Sequence, residues 1–149
     1  MTGKAKCRKY TRLLRTLYGI VACAIITGLF ACDFGKDEKD AKAFAERIHE
    51  QMQAGNYVSI YNQGTSHFKG TGNESQFVAM MQKYQSEAGL LKKAQPIAYE
   101  AGVDSNVGKI YVLVYDLEFE RARLRERLIL TRSEQGQMQL LKLESSTTP

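Results

Sequence analysis

The spacing of apolar residues changes at Gly89, and that change limits the folds open to this chain. Before it, Ala41, Phe44, Ala45, Ile48 and Met52 recur at helical intervals, with Lys42, Glu46, Arg47, Glu50 and Gln51 between them. The stretch 37–54 therefore reads as an amphipathic helix, and Gly55 suits the position just past its end. Tyr57, Val58, Ile60 and Tyr61 make a short apolar turn, followed by a loop through Gly64, Gly70 and Gly72 that carries His67 and Phe68. Asn73 can cap a further helix, with Gln76 where a capping box places its return partner. Phe77, Met80, Met81 and Tyr84 form that helix's expected buried stripe, and Gly89 ends it.

Beyond Gly89 the period falls from about 3.6 to about 2, the signature of half-buried strands. The expected strands are 94–101, 110–120, 123–132 and 138–144. Pro96 places the first at a sheet edge or at a bulge. The run 103–109, VDSNVGK, is dense in turn residues, and Gly136 marks a hairpin. In the second strand Tyr111, Leu113, Tyr115, Leu117 and Phe119 share the core face. A hairpin about Arg121 and Ala122 then opposes Glu120 to Arg123, Glu118 to Arg125 and Asp116 to Arg127 on the outer face. A slip of one residue would bury those charges, so the parity of the pairing is well determined. Arg-Ala is a poor two-residue turn, so the turn itself is not. Helices first and antiparallel strands after define an α+β domain, with two to three N-terminal helices packed on a curved, roughly four-stranded sheet.

The first 32 residues of the chain have a different character. Lys4, Lys6, Arg8, Lys9, Arg12 and Arg15 precede an unbroken apolar run from Leu17 to Ala31, the layout of an export signal. The run closes Leu29-Phe30-Ala31-Cys32, which resembles the lipoprotein signal of bacteria, with an aliphatic residue, a variable position, a small residue and then the cysteine that is lipidated. That resemblance implies a signal peptide over 1–32, a charged spacer over 33–40, the domain over 41–144 and a frayed tail over 145–149. It also implies lipidation at Cys32 and an anchor in the bacterial envelope facing the periplasm. Asp33 resembles the residue that retains such proteins on the inner membrane. Two other readings stay open: ordinary signal cleavage, which Leu29 fits poorly, and an uncleaved anchor, for which about 20 apolar residues are needed.

The formal net charge of +5 invites a nucleic-acid partner until it is divided between the two parts. All 16 acids follow Cys32, whereas six of the 21 Lys and Arg precede it, which leaves the mature chain near −1. The basic excess belongs to the leader, where it orients insertion. No nucleic-acid partner is expected. Of the three cysteines, Cys7 and Cys23 also lie in the leader. The domain then has no thiol for a disulfide, a zinc site or a nucleophile.

The first helix running into Gly55-Asn56-Tyr57, the Phe68 loop, the helix ending at Gly89 and the hairpin at Glu134-Gln135-Gly136-Gln137-Met138 together resemble the ketosteroid-isomerase and nuclear-transport-factor-like superfamily. Within it, the chain is similar to small exported bacterial domains of unknown function. A cystatin-like sheet on one helix is the nearest alternative. The resemblance implies a cone with an apolar mouth, where enzymes of the superfamily place a carboxylate base and a tyrosine oxyanion donor.

Tyr57, Tyr61, Tyr84, Tyr111 and Tyr115 are the residues that would line such a mouth. Glu126, between Leu124 and Leu128, is the acid whose parity points inward. Buried, it would act as a general base beside Tyr57 or Tyr115. At the sheet rim it would be solvated or paired with an arginine. His49 and His67 read as surface or half-buried residues, and no third ligand at metal spacing accompanies them, so neither a metal nor a cofactor is expected. Arg121, Arg123, Arg125 and Arg127 read as a charge ladder or, alternatively, as a contact for acidic headgroups. The expectation is a non-enzymatic, membrane-tethered envelope lipoprotein that binds a partner protein or a small apolar ligand. The alternative is a small isomerase or dehydratase-like enzyme using Glu126 and a tyrosine.

Overall fold

A computed structural model describes residues 35–147 of the chain. Cys32 and Asp33, with the stretch read as a leader, lie outside the described residues, and among those described no helix is long and apolar enough to cross a membrane. Four helices precede four strands: α1 over 35–53, α2 Tyr57–Asn62, α3 Ser66–Gly70, α4 Glu74–Ala88, then β1 Leu91–Asp104, β2 Gly108–Phe119, β3 Arg123–Arg132 and β4 Met138–Thr147. The strands form one antiparallel sheet in the order β1-β2-β3-β4, curved and unclosed. The α+β architecture expected from the change of period is the one observed.

The helices form where their local chemistry stabilises them. The α1 stripe of Ala41, Phe44, Ala45, Ile48 and Met52 is buried, as its spacing requires. Asn73 and Gln76 make the reciprocal capping box of α4, with bonds of 2.9 and 3.0 Å that satisfy two otherwise orphaned N–H groups. The Gly-rich stretch read as a loop contains α3 instead, capped by the Thr65 hydroxyl accepting from Phe68 N–H. This cap lets Phe68 turn inward against Phe77, with ring centroids 5.5 Å apart.

The expected stripe of α4 divides in two. Phe77 and Met81 are buried, whereas Met80 and Tyr84 are 43% and 45% exposed. The helix is packed along its Phe77–Met81 line, and the other two side chains stand beside an opening between helix and sheet.

Pro96 meets both conditions that its chemistry sets. β1 is an edge strand, and its pairing with β2 shifts register between Pro96 and Ala98. The β2–β3 hairpin keeps the expected parity but sits two residues from the expected register, pairing Asp116 with Arg125, Glu118 with Arg123 and Leu117 with Leu124. The reason lies in the turn. The connection from Phe119 to Ala122 closes through Phe119 N–H donating to Ala122 C=O at 2.9 Å, which spares Arg-Ala a two-residue turn that neither residue suits. The lengthened turn also reaches α4. Arg121 N–H donates to Ala88 C=O, and its guanidinium donates to the carbonyls of Ser86 and Glu87, three groups left without partners at the helix C-terminus.

Several boundaries differ from expectation: β1 runs Leu91–Asp104 against an expected 94–101, β2 begins at Gly108 inside the stretch read as turn, and two more have a local cause. Helix α1 begins at 35, inside the stretch read as a spacer, because the charges of 36–42 are compatible with helix; Glu38 and Lys42 pair one turn apart at 2.6 Å. β4 continues to Thr147 through residues read as a frayed tail, because β3 offers partners as far as Leu124.

Candidate functional site

Two polar residues occupy core positions on different elements, and they meet. His49 shares the inward face of α1 with Ala45, Ile48 and Met52, and Glu126 alternates with Leu124 and Leu128 on the inner face of β3. Their side chains form a hydrogen bond of 2.6 Å between His49 Nε2 and Glu126 Oε2, with His49 5% and Glu126 1% exposed. The bond is short and joins two side chains that the surrounding core seals from solvent. Glu126 is thus neither solvated at the rim nor paired with an arginine, and His49 is not a surface residue. Burying a carboxylate without a partner is costly, and the imidazole supplies that partner.

Tyr115, opposite Glu126 in the β2–β3 ladder, sets its ring edge-on against the His49 imidazole, with centroids 4.6 Å apart. Burial, followed by the negative charges of Glu46 and Glu126, pushes the Tyr115 hydroxyl up to about 12. It is therefore neutral at physiological pH. Burial also raises the Tyr57 hydroxyl above its ordinary value.

The pair separates two clefts. On one side a cleft of about 110 Å³ runs between α4 and the sheet, walled by Met52, Met81, Leu91, Leu117, Phe119 and Leu124, with Tyr57 and Glu126 on its surface and Met80 and Tyr84 at its mouth. On the other, His49 and Tyr115 border a more open cleft with Lys42, Glu46 and Glu50. Of the sequence candidates, Glu126, Tyr57 and Tyr84 are thus brought to one cleft and Tyr115 to the other. Tyr111 is fully buried in the core. Tyr61 lines a separate hollow with Phe68 and Phe77, its hydroxyl donating to Gly72 C=O at 3.0 Å. His67 is exposed on α3.

The residue missed in the sequence is His49, and the signal was present: it lies four residues after Ala45 and three before Met52, on a stripe that is otherwise apolar. Among the described residues, no group of three or more His, Cys, Asp or Glu is arranged to hold a metal ion. The arginine run is engaged throughout. Arg121 caps α4, while Arg123, Arg125 and Arg127 pair with Glu118, Asp116 and Glu144 at 3.5, 2.9 and 3.3 Å.

The arrangement defines a class in structural terms only: an α+β domain with an apolar cleft whose polar surface includes one side of a buried imidazole–carboxylate pair. The chain matches no protein-family model and none of the curated proteins with which it was compared.

Proposed function

We propose that this chain is a non-enzymatic envelope lipoprotein, tethered through Cys32 and facing the periplasm, whose domain binds a small apolar ligand or an apolar side chain of a partner protein in the α4 cleft. The tether rests on the basic head, the apolar run and the closing Leu29-Phe30-Ala31-Cys32; Asp33 favours the inner membrane. The binding half rests on one observation: a largely apolar cleft whose mouth holds Met80 and Tyr84 exposed to solvent. Exposed methionine beside an aromatic ring is adaptable contact surface. At about 110 Å³ the cleft is well below the roughly 300 Å³ at which pockets for drug-sized ligands begin, so it suits a small group.

Mass spectrometry of the native protein in its membrane fraction tests both halves. The expected result is a chain beginning at acylated Cys32, with a crosslink or retained small molecule that Met80→Glu removes. Unacylated chains beginning at Met1 in the cytosol would sink the tether, and retention unaffected by Met80→Glu would sink the assignment to this cleft.

A second reading draws on Glu126 itself. A carboxylate held by an imidazole and sharing a cleft with Tyr57 has the parts of an isomerase or dehydratase, with Glu126 as base and Tyr57 as oxyanion donor, in keeping with the ketosteroid-isomerase-like resemblance. Recovery of the bound molecule in two interconverting isomeric forms, rather than unchanged, would favour it.

A further inference from the structure

The cleft wall holds two polar groups whose hydrogen-bonding capacity the protein leaves unused. Glu126 gives Oε2 to His49, while Oε1 makes no hydrogen bond to any described residue. Tyr57 is 4% exposed, and its hydroxyl likewise has no hydrogen-bond partner among the described residues. A polar group that makes no bond within the protein takes one from whatever enters the space beside it. Both residues line the α4 cleft, and neither of these oxygens is closed off without a partner, so the open space available to them is the cleft.

The two groups are complementary in kind. A carboxylate oxygen accepts. The Tyr57 hydroxyl, which burial keeps protonated, can donate. A ligand hydroxyl has one proton to give and lone pairs to receive one, so it uses both. A ligand carbonyl would leave Glu126 without a donor. A ligand carboxylate would be repelled by it. An ammonium group has three protons and would find too few acceptors on an otherwise apolar wall, at the cost of its own desolvation.

We propose that the α4 cleft takes a small uncharged alcohol or phenol, whose hydroxyl donates to Glu126 Oε1 and accepts from the Tyr57 hydroxyl while its hydrocarbon part lies against Met52, Met81, Leu117 and Phe119. This rests on the reading of the cleft as a binding site and adds to it the chemistry of the ligand. His49 is then a positioning residue: by holding Oε2 it turns the other carboxylate oxygen to the cleft. At about 110 Å³ the cleft is smaller than the roughly 150 Å³ cavity that encloses benzene, so an aromatic ring would fill it and project through its open mouth, whereas a short branched chain would fit within it.

The test is binding of phenol, toluene, benzoate and benzylamine to the full chain in detergent, read from the methyl resonances of labelled Met52 and Met81. Phenol should bind about tenfold or more tighter than toluene, the scale of one hydrogen bond to a charged group, and benzoate should not bind. Tyr57→Phe, which breaks no bond within the protein, should lower phenol affinity several-fold and leave toluene unchanged. Glu126→Gln should do the same if its methyl spectrum remains native. Toluene binding as tightly as phenol, or benzylamine binding tighter than either, overturns the hydroxyl assignment and leaves the cleft reading standing. Methyl resonances unmoved by all four probes overturn both.

Discussion

His49 Nε2 and Glu126 Oε2 lie 2.6 Å apart in the core, joined across 77 positions of sequence. One comes from the inner face of the first helix and the other from the inner face of the third strand, so the contact ties the two layers of the domain together. Removing one partner leaves the other buried and unpaired.

The first prediction concerns that coupling. His49→Leu leaves the Glu126 carboxylate without its partner and should cost about 3 to 5 kcal/mol. Glu126→Leu should cost less, since the remaining imidazole can stay neutral. The double variant should lie well short of the sum, with a coupling of roughly 1 to 3 kcal/mol. Urea unfolding of the three variants measures this. Strict additivity would mean that the pair contributes nothing as a pair.

Tyr115 predicts a loss of stability on the alkaline side. Its folded value of about 12 exceeds the ordinary tyrosine value of about 10, so the native state holds a proton that the unfolded state has released between those limits. Its contribution is fully present below pH of about 10 and declines by roughly 2 to 3 kcal/mol as pH rises through the folded value. Tyr115→Phe should flatten that part of the stability curve. Ultraviolet titration of tyrosinate should show one group ionising last in the wild type and missing in the variant.

Gly89 is a third point of test. Its φ is +82°, and a Cβ there would lie 2.6 Å from the Glu120 carboxylate, which accepts from Leu90 N–H and pairs with Lys92 at 2.8 Å. Gly89→Ala therefore combines a strained backbone with a displaced carboxylate and should cost roughly 1 to 3 kcal/mol. Thermal unfolding reads the loss. An unchanged midpoint would mean that the helix end rearranges freely.

The arginines of the hairpin should not behave alike. Arg125→Ala removes an exposed ion pair with Asp116 and should cost roughly 0.2 to 1 kcal/mol, less at high salt. Arg121→Ala uncovers two carbonyls at the end of α4 and should cost about 1 to 2 kcal/mol, largely independent of salt. Equal costs with equal salt dependence would contradict the capping role.

Much of the fold was legible because periodicity reports which side of an element faces inward. The inward residues of α1, the capping box of α4 and the parity of β2 against β3 all follow from local chemistry. The register of that hairpin did not, since parity permits any even shift and the choice was made by a turn that also had to reach the last carbonyls of α4. Met80 and Tyr84 were expected to be buried for a related reason: a helical stripe announces an apolar face without saying how much of it a neighbour covers.

The amino-acid order alone determined an α+β domain, its two long helices and four strands in order, and the identity of most of its core, because those depend on interactions spanning a few residues or on simple alternation. Tertiary structure decided that His49 and Glu126 meet, that Tyr57 and Glu126 share a cleft while Tyr115 borders another, and that α4 stands partly open. These are relations between elements far apart in the chain, set by packing and loop closure, which no local pattern of residues encodes.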